Sequence, residues 1–191
     1  MKHTNTLGNV IKKVLAFVLV LAIAVTFSQP LSVEAKKKAK ANKVTLAKQG
    51  LSTDIEVIKS VSKELKAGKN AVTVKRLGGG MFSTYEGYAK FVAPAAKTYT
   101  LKFSNLKAKG RTKSVLGDVS GYTIKGQTIK SLKLGPVKNM YNAQLGTKNV
   151  SNYKKTFTSK VTLEEGETLY LLYSFSGQSK NKSVSLETTI K

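Results

Sequence analysis

Residues 169–175 read Leu-Tyr-Leu-Leu-Tyr-Ser-Phe, a run that is apolar at both of its alternating sets of positions. Successive side chains of a strand point to opposite faces of the sheet, so such a run predicts a central strand that is covered on each side. The turn sequence Glu165-Gly166-Glu167 precedes it, and residues 157–163 alternate between apolar and polar before that turn. This part of the chain therefore predicts sheet structure.

A period of two also marks other segments of the chain. Over residues 98–104, Tyr99, Leu101 and Phe103 alternate with Thr, Lys and Ser, as in a strand with one buried face. Further segments of strand-forming composition are 71–77, 87–93, 121–125, 128–134 and 184–190. About eight to ten short strands with frequent turns predict an all-β fold, an antiparallel β-sandwich with a jelly-roll-like arrangement.

Residues 54–66 (DIEVIKSVSKELK) allow two interpretations. Ile55, Ile58 and Leu65 have a spacing that approximates one face of a helix, whereas the alternation from Val57 to Leu65 is typical of an edge strand. We favour the strand and expect this segment at an edge of the sandwich.

Three segments also carry a resemblance to a known family: GYAKFVAP (87–94), KTYTLKF (97–103) and VTLEEGETLYLLYSF (161–175). They resemble the bacterial pre-peptidase C-terminal-like β-sandwich and the related small jelly-roll modules of secreted bacterial proteins. In that family a Tyr-x-x-Phe strand leads through a Pro turn into a second aromatic strand, and a Leu-x-x-Gly-Glu turn opens the strand that crosses the core. Ala96 and Lys97 depart from the pattern, which usually has Gly before the Thr-Tyr strand, and the acidic residues that hold calcium in some members are not evident. The resemblance implies a noncatalytic appendage.

The N-terminus has the layout of a secretory signal peptide. Basic residues up to Lys13 precede a low-polarity run over 14–27, and Val33 and Ala35 occupy the −3 and −1 positions of a small-residue cleavage site. The alternative, an uncleaved membrane anchor, needs about 20 apolar residues. Together with the absence of cysteine, the long basic region is typical of a Gram-positive bacterium, and we expect an extracellular or cell-wall-associated protein.

The predicted domain organisation follows from this cleavage site. We expect a signal-peptide helix within 1–35, a basic leader over 36–50 and the β-sandwich domain over 51–191. The leader is either an electrostatic tether or a solvated spacer, and we favour the spacer.

The composition removes most catalytic chemistries. The chain has no cysteine, and its one histidine, His3, lies in the predicted signal peptide. The exported chain therefore has no Cys-His or Ser-His dyad and no thiolate or imidazole metal ligand. A glycosidase needs two facing carboxylates, and no spacing marks such a pair. Asp118 is a loop candidate for calcium, but a turn-capping role explains it better. We predict a non-enzyme without metal or cofactor.

Lysine dominates the charge. The chain has 33 Lys plus Arg against 10 Asp plus Glu, a formal net charge of +23, and its arginines are Arg76 and Arg111. Lysine is a hydrated point charge, whereas arginine supplies the planar fork used for specific recognition. Lysines spread along the chain favour salt-sensitive attraction to a polyanion over sequence-specific reading of nucleic acid. A solvated surface that suppresses pairing between strand edges would explain the same composition.

Tyrosines and arginines are the candidate ligand contacts. Tyrosines next to Gly or Asn are expected in loops, where their rings could stack on sugars, while Tyr99 and Tyr173 fall on the inward phase of their strands. The candidate ligand-binding residues are Tyr85, Tyr122, Tyr141, Tyr153, Arg76 and Arg111.

The predicted function is that of a secreted, noncatalytic interaction module. Its expected partner is an anionic polymer or glycan of the cell envelope, such as teichoic acid, held by a lysine-rich surface. A protein-binding adhesin or inhibitor would instead show an exposed apolar patch. A structural spacer would have no ligand, and a carbohydrate-active enzyme would have two carboxylates converging in a cleft.

Overall fold

Strands make up most of the part of the chain that the computed structural model describes, which is residues 40–79, 82–110, 114–135, 142–178 and 181–191. The predicted signal peptide, the beginning of the leader, Arg111 and Tyr141 lie outside these ranges. The elements are β1 Asn42–Thr45, α1 Ile55–Val61, β2 Lys63–Glu64, β3 Gly68–Gly78, β4 Phe82–Val92, β5 Lys97–Lys109, β6 Val115–Lys125, β7 Thr128–Leu132, β8 Ala143–Gly146, β9 Thr156–Leu163, β10 Thr168–Gln178 and β11 Ser183–Ile190.

The strands form one curled sheet that is folded into two layers, and the predicted all-β, sandwich-like fold is confirmed. The hydrogen-bonded order is β7-β6-β10-β4-β3-β11-β5-β9, with β1 on β3, β2 on β4 and β8 on β6. Most pairs are antiparallel, while β1 with β3 and β2 with β4 are parallel. We call β1, β3, β11, β5 and β9 the front sheet, and β2, β4, β10, β6, β7 and β8 the back sheet.

Strand β3 connects the two sheets. Its residues up to Lys75 pair with β11 in the front sheet. Beyond that point Arg76 and Gly78 pair with β4 in the back sheet, with a register shift between them. This bend lets the inner faces of the two sheets pack on one another.

The core lies between the sheets and contains the residues that alternation placed inward. Tyr99, Leu101 and Phe103 are buried on β5, and Tyr173 is buried on β10, as predicted. Strand β10 lies between β4 and β6. Its other face carries Tyr170 and Leu172, which form a second apolar cluster with Ile58 of α1 and Tyr88 of β4. The run at 169–175 is thus covered on both sides.

A β-bulge on β5 changes which residues face outward. Asn105 has a φ of 57°, and the pairing of β5 with β11 shifts register beside it. Because of the extra residue, Leu106 returns to the core side after Phe103. Lys107 and Lys109 are therefore on the outer face.

The predicted leader is too long. β1 pairs with β3, and both Val44 and Leu46 are buried in the main core. The folded domain consequently begins by Asn42 and not at residue 51. A four-residue strand among lysines carries too short an alternation to stand out in the sequence.

The predicted strand over 54–66 is also wrong for most of its length. Residues Ile55–Val61 form α1, and only Lys63–Glu64 are strand. Asp54 caps the helix, since its Oδ1 accepts hydrogen bonds from the backbone N–H groups of Glu56 and Val57 at 2.9 and 3.2 Å. No helix in the described ranges is long and apolar enough to cross a membrane.

Candidate functional site

The outer face of the front sheet carries a regular array of lysines and hydroxyls. Directly paired residues of neighbouring strands point to the same side of a sheet. One row across the sheet is Thr73, Ser185 and Lys107, and the next is Lys75, Ser183 and Lys109. The exposed lysines on this face are Lys43, Lys69, Lys75, Lys102, Lys107, Lys109 and Lys160.

Acidic residues are almost absent from this face. Glu187 is the one acidic residue within the described front-sheet strands, and its Oε1 lies 3.1 Å from Nζ of Lys69. The back-sheet strands, by contrast, carry Glu64, Glu86 and Asp118. Charge is therefore segregated between the two faces of the sandwich, and the front face is strongly cationic.

Hydroxyl groups lie between the lysines. Thr100 pairs with Lys160, and Thr158 pairs with Lys102. Oγ1 of Thr98 and Oγ1 of Thr162 are 2.9 Å apart and hydrogen-bonded across the β5–β9 pair. A face of ammonium and hydroxyl groups offers many hydrogen-bond donors to a polyanion or to a sugar.

A basic cleft lies at one end of the front face, where β3 bends toward the back sheet. The backbone N–H of Arg76 donates to the carbonyl of Lys182 at 3.2 Å, just past the last β3–β11 pair. The cleft has a volume of about 910 Å³. Its lining residues are Thr45, Lys48, Thr73, Lys75, Arg76, Leu77, Gly78, Asn181, Lys182 and Ser183. None of these described residues is acidic, so the cations in the wall are not neutralised from within the cleft.

Arg76 is the candidate ligand residue that the structure places in this cleft. Its Nη2 donates to the carbonyl of Gly79 at 2.7 Å, which holds the guanidinium against the β3–β4 hairpin. Within the described chain its Nε is buried and has no hydrogen-bond partner. A buried N–H donor without a partner is unusual and costly. Arg76 therefore has one buried donor, Nε, without a partner among the described residues.

The tyrosines do not form one site. Tyr85 was expected in a loop but is fully buried on β4, where its hydroxyl donates to the carbonyl of Asn181 at 3.1 Å. Tyr122 was also expected in a loop, yet it lies on β6, partly buried against the second apolar cluster. Tyr153 does lie in a turn, between β8 and β9, and is partly buried. Arg111 and Tyr141 lie outside the described residues.

Comparison with known proteins does not identify the chain. No family model matches it, and no curated protein matches it. The resemblance to the pre-peptidase C-terminal-like β-sandwich therefore remains a prediction from motifs.

Two carboxylates share the outer face of the back sheet. Glu86 and Asp118 pair with Ser174 from opposite sides, and Oγ of Ser174 donates to Oε1 of Glu86 at 2.9 Å. Burial raises the pKa of the Asp118 carboxyl, hydrogen bonds with Asn142 and Ser120 oppose this, and the charge of Glu86 adds to the rise. Strands are about 4.8 Å apart, so the two backbones are separated by about 10 Å.

This carboxylate pair has neither a large cleft nor a metal-binding group around it. The cavity beside Asp118 has a volume of about 240 Å³ and is also lined by Gln144 and Tyr153. Among the described residues, no group of three or more acidic or histidine side chains could hold a metal ion. Glu86 and Asp118 both have side-chain hydrogen-bond partners, Ser174 for Glu86 and Asn142 and Ser120 for Asp118.

Sequence reasoning did not single out Lys48, Lys75 and Lys182, the other cations of the cleft. They are far apart in the chain and meet only because β1 and β11 both pair with β3, while Lys48 follows β1 and Lys182 precedes β11. The available signal was the alternation of Lys with Thr and Ser in strands that have almost no acidic residues, which marks a cationic sheet face once the strands are paired.

Proposed function

We propose that this chain is an exported, noncatalytic module that binds an anionic polymer of the bacterial cell envelope, teichoic acid or an acidic glycan. The observation that carries the proposal is the charge of the front sheet. Every strand of this sheet except β11 carries lysine, and Glu187 is the one acidic residue of its strands in the described ranges. Export fits the signal-peptide layout of residues 1–35.

The spacing of the lysines suits a repeating polyanion. Same-face residues along a strand, such as Lys107 and Lys109, are about 6.8 Å apart, and neighbouring strands are about 4.8 Å apart. Several phosphates or carboxylates of one flexible polymer can therefore be approached by different lysines at once. Binding of this kind releases counterions and weakens as salt rises. Hydroxyls of Thr73, Ser185 and Thr158 add neutral hydrogen-bond donors on the same face.

The cleft extends this face and adds Arg76 to it. A guanidinium can donate two parallel hydrogen bonds to a phosphate or carboxylate, which a lysine cannot do. Arg76 lies beside Lys75 in the cleft wall. We expect the lysine array to supply most of the attraction and the cleft to favour one anionic group of the polymer.

The test compares two triple variants of equal net charge. The front variant carries Lys102→Gln, Lys107→Gln and Lys109→Gln on β5, and the control variant carries Lys63→Gln, Lys125→Gln and Lys130→Gln on exposed positions of the back sheet. Residues Ala39–Lys191 form one compact unit and can be produced without the N-terminal segment. Binding to Gram-positive cell walls, with and without teichoic acid, is measured across a salt series.

The front variant should bind the teichoic-acid-bearing walls about tenfold more weakly, with a salt slope reduced by roughly one per lost contact. The control variant should stay within about threefold of the unmodified chain, because its lysines lie on the other sheet. Equal losses in both variants would mean that net charge alone attracts the protein. Absence of binding at low salt would contradict the proposal outright.

A further inference from the structure

Three large apolar side chains are exposed at the end of the sandwich that contains the β3–β4 hairpin. Phe82 is 62% exposed, Leu51 is 70% exposed and Leu77 is 40% exposed. Val92, 47% exposed, is at the opposite end of β4. Single exposed apolar residues are common, but a group of them marks an interaction surface.

These three residues belong to neighbouring segments. Leu77 and Phe82 lie on the two strands of one hairpin, in which Gly78 pairs with Thr84. The segment that follows β1 passes next to it, because the position of a Cβ on Gly50 is only 3.3 Å from Cδ2 of Leu77. The same position is 3.1 Å from Oε2 of Glu86, so one carboxylate also borders this segment. Leu51 follows directly. We call Leu51, Leu77 and Phe82 the apolar tip.

The apolar tip borders the basic cleft. Leu77 itself lines the cleft together with Lys48, Lys75 and Lys182. The three lysines are exposed, and none of the described residues that line the cleft is acidic. An apolar projection with cations beside it is complementary to a surface in which negatively charged groups lie above an apolar layer.

We propose that the apolar tip docks on an anionic phospholipid bilayer. Phe82, Leu77 and Leu51 would enter the boundary between headgroups and acyl chains, while Lys48, Lys75, Arg76 and Lys182 contact lipid phosphates. A soluble polyanion can occupy the cleft but leaves the apolar tip in water. A lipid surface can bind the cations of the cleft and also remove the apolar tip from water. Cations near an anionic leaflet and shallowly buried apolar groups add to the same binding energy.

This docking mode goes beyond the polymer proposal, because the cations of the cleft serve both ligands but the apolar tip has a role only at the bilayer. A chain with both would lie at the outer surface of the plasma membrane, among polymers that begin there. The two proposals can fail separately, since changing Phe82 leaves the lysine array intact.

The test uses the absence of tryptophan from the chain. Phe82→Trp introduces a single tryptophan at the tip, and Val92→Trp introduces one at the far end of β4; excitation at a wavelength that tyrosine does not absorb reports on the tryptophan alone. Each variant of 39–191 is mixed with phosphatidylcholine vesicles that contain phosphatidylglycerol, with or without brominated acyl chains. The Phe82→Trp emission should shift to shorter wavelength and be quenched by bromine, and the Val92→Trp emission should not.

A second comparison measures the vesicle partition coefficient. Phe82→Ser should lower the partition coefficient roughly tenfold, because no aromatic side chain is then transferred from water into the bilayer. Val92→Ser should leave the partition coefficient unchanged. Lys75→Gln with Lys182→Gln should lower it by about fivefold per cation. Phe82→Ser should bind cell walls as the unmodified chain does, which separates this test from that of the polymer proposal.

Four results would overturn the bilayer proposal. Vesicle binding without bromine quenching of Phe82→Trp would indicate diffuse charge attraction only. Equal quenching of Val92→Trp would indicate a different orientation. Equal binding to vesicles of pure phosphatidylcholine would remove the role of the cleft, and failure to bind any vesicle would leave the tip as a contact for a protein.

Discussion

The hydroxyl of Tyr173 on β10 lies 2.9 Å from Oγ1 of Thr188 on β11, and this hydrogen bond crosses the core from the back sheet to the front sheet. Both side chains are fully buried. Burial raises the pKa of the Tyr173 hydroxyl, and the hydrogen bond with Thr188 only partly opposes this. The phenol is therefore neutral at physiological pH, and its partner fixes how the two sheets are placed on one another.

Removing one partner of this bond should destabilise the fold. Tyr173→Phe leaves the Thr188 hydroxyl buried without its partner, and we expect the free energy of unfolding to fall by about 1–2 kcal/mol. Thr188→Val should have a similar effect. Denaturant unfolding of the single variants and the double variant completes a thermodynamic cycle. Strictly additive losses would show that the two groups do not interact.

A close backbone approach explains why residue 87 is glycine. A Cβ at Gly87 would lie 2.7 Å from the carbonyl oxygen of Ala47 and 2.8 Å from Cβ of Leu46. Gly87→Ala should push the segment after β1 away from β4 and lower the free energy of unfolding by about 1–3 kcal/mol. Gly78→Ala is the control, because a Cβ there meets nothing within 4 Å. Thermal unfolding of both variants provides the measurement, and equal melting temperatures would contradict the argument.

The strands could be predicted from sequence because their signal is local. Tyr99, Leu101 and Phe103 alternate within one strand, and the run at 169–175 is apolar on both faces whatever its neighbours are. The helix α1 could not be separated from a strand, since a seven-residue segment contains too few turns for its period to decide. The Asp54 cap was the signal that would have favoured it.

The candidate site could not be predicted, because it depends on strand order. Lys75 and Lys109 become neighbours only through Ser183, which pairs with both. Tyr85 was wrongly predicted to lie in a loop because nearby glycines are typical of loops. Here Gly78 belongs to the β3–β4 hairpin, and Gly87 makes room for a close backbone contact. Composition correctly indicated a basic protein but not which face carries the charge.

The free energy of unfolding should depend on pH through the carboxyl group of Asp118. A carboxyl whose pKa is raised by folding binds its proton more tightly in the folded chain. That contribution to stability is present below the ordinary Asp pKa of about 3.9 and is lost as pH rises through the higher folded pKa. Asp118→Asn should therefore be more stable than the unmodified chain at pH 7, with a smaller difference at pH values below about 3.9. Denaturant titrations at the two pH values test this, and a difference independent of pH would contradict it.

Tyr85 should prove to be a structural residue and not a ligand contact. Tyr85→Phe removes the hydrogen bond to the carbonyl of Asn181, and we expect a loss of about 1 kcal/mol in the free energy of unfolding. Binding to cell walls should be unchanged, because the ring is fully buried behind the cleft. Lys75→Gln should show the reverse, with weaker wall binding and unchanged stability. If Tyr85→Phe were fully folded and yet bound cell walls more weakly, Tyr85 would be a ligand-binding residue, as the sequence predicted.

The start of the domain can be tested by truncation. A chain that begins at residue 51 lacks β1 and the adjoining Leu46, whose backbone N–H donates a hydrogen bond to the carbonyl of Thr73 at 2.9 Å. It also lacks the buried side chains of Val44 and Leu46. Because each such side chain stabilises the fold by about 1.5–3 kcal/mol, residues 51–191 should be less stable than 39–191 by about 3–6 kcal/mol, or unfolded.

Two point variants separate burial from chain length in that comparison. Leu46→Ala in the 39–191 chain should cost about 2–5 kcal/mol, whereas Lys43→Gln, at an exposed position of β1, should stay within about 0.5 kcal/mol. Denaturant unfolding followed by circular dichroism measures all four chains. If 51–191 unfolded at the same denaturant concentration as 39–191, then β1 would be an appendage of the sheet, and the buried positions of Val44 and Leu46 would not contribute to the stability of the core.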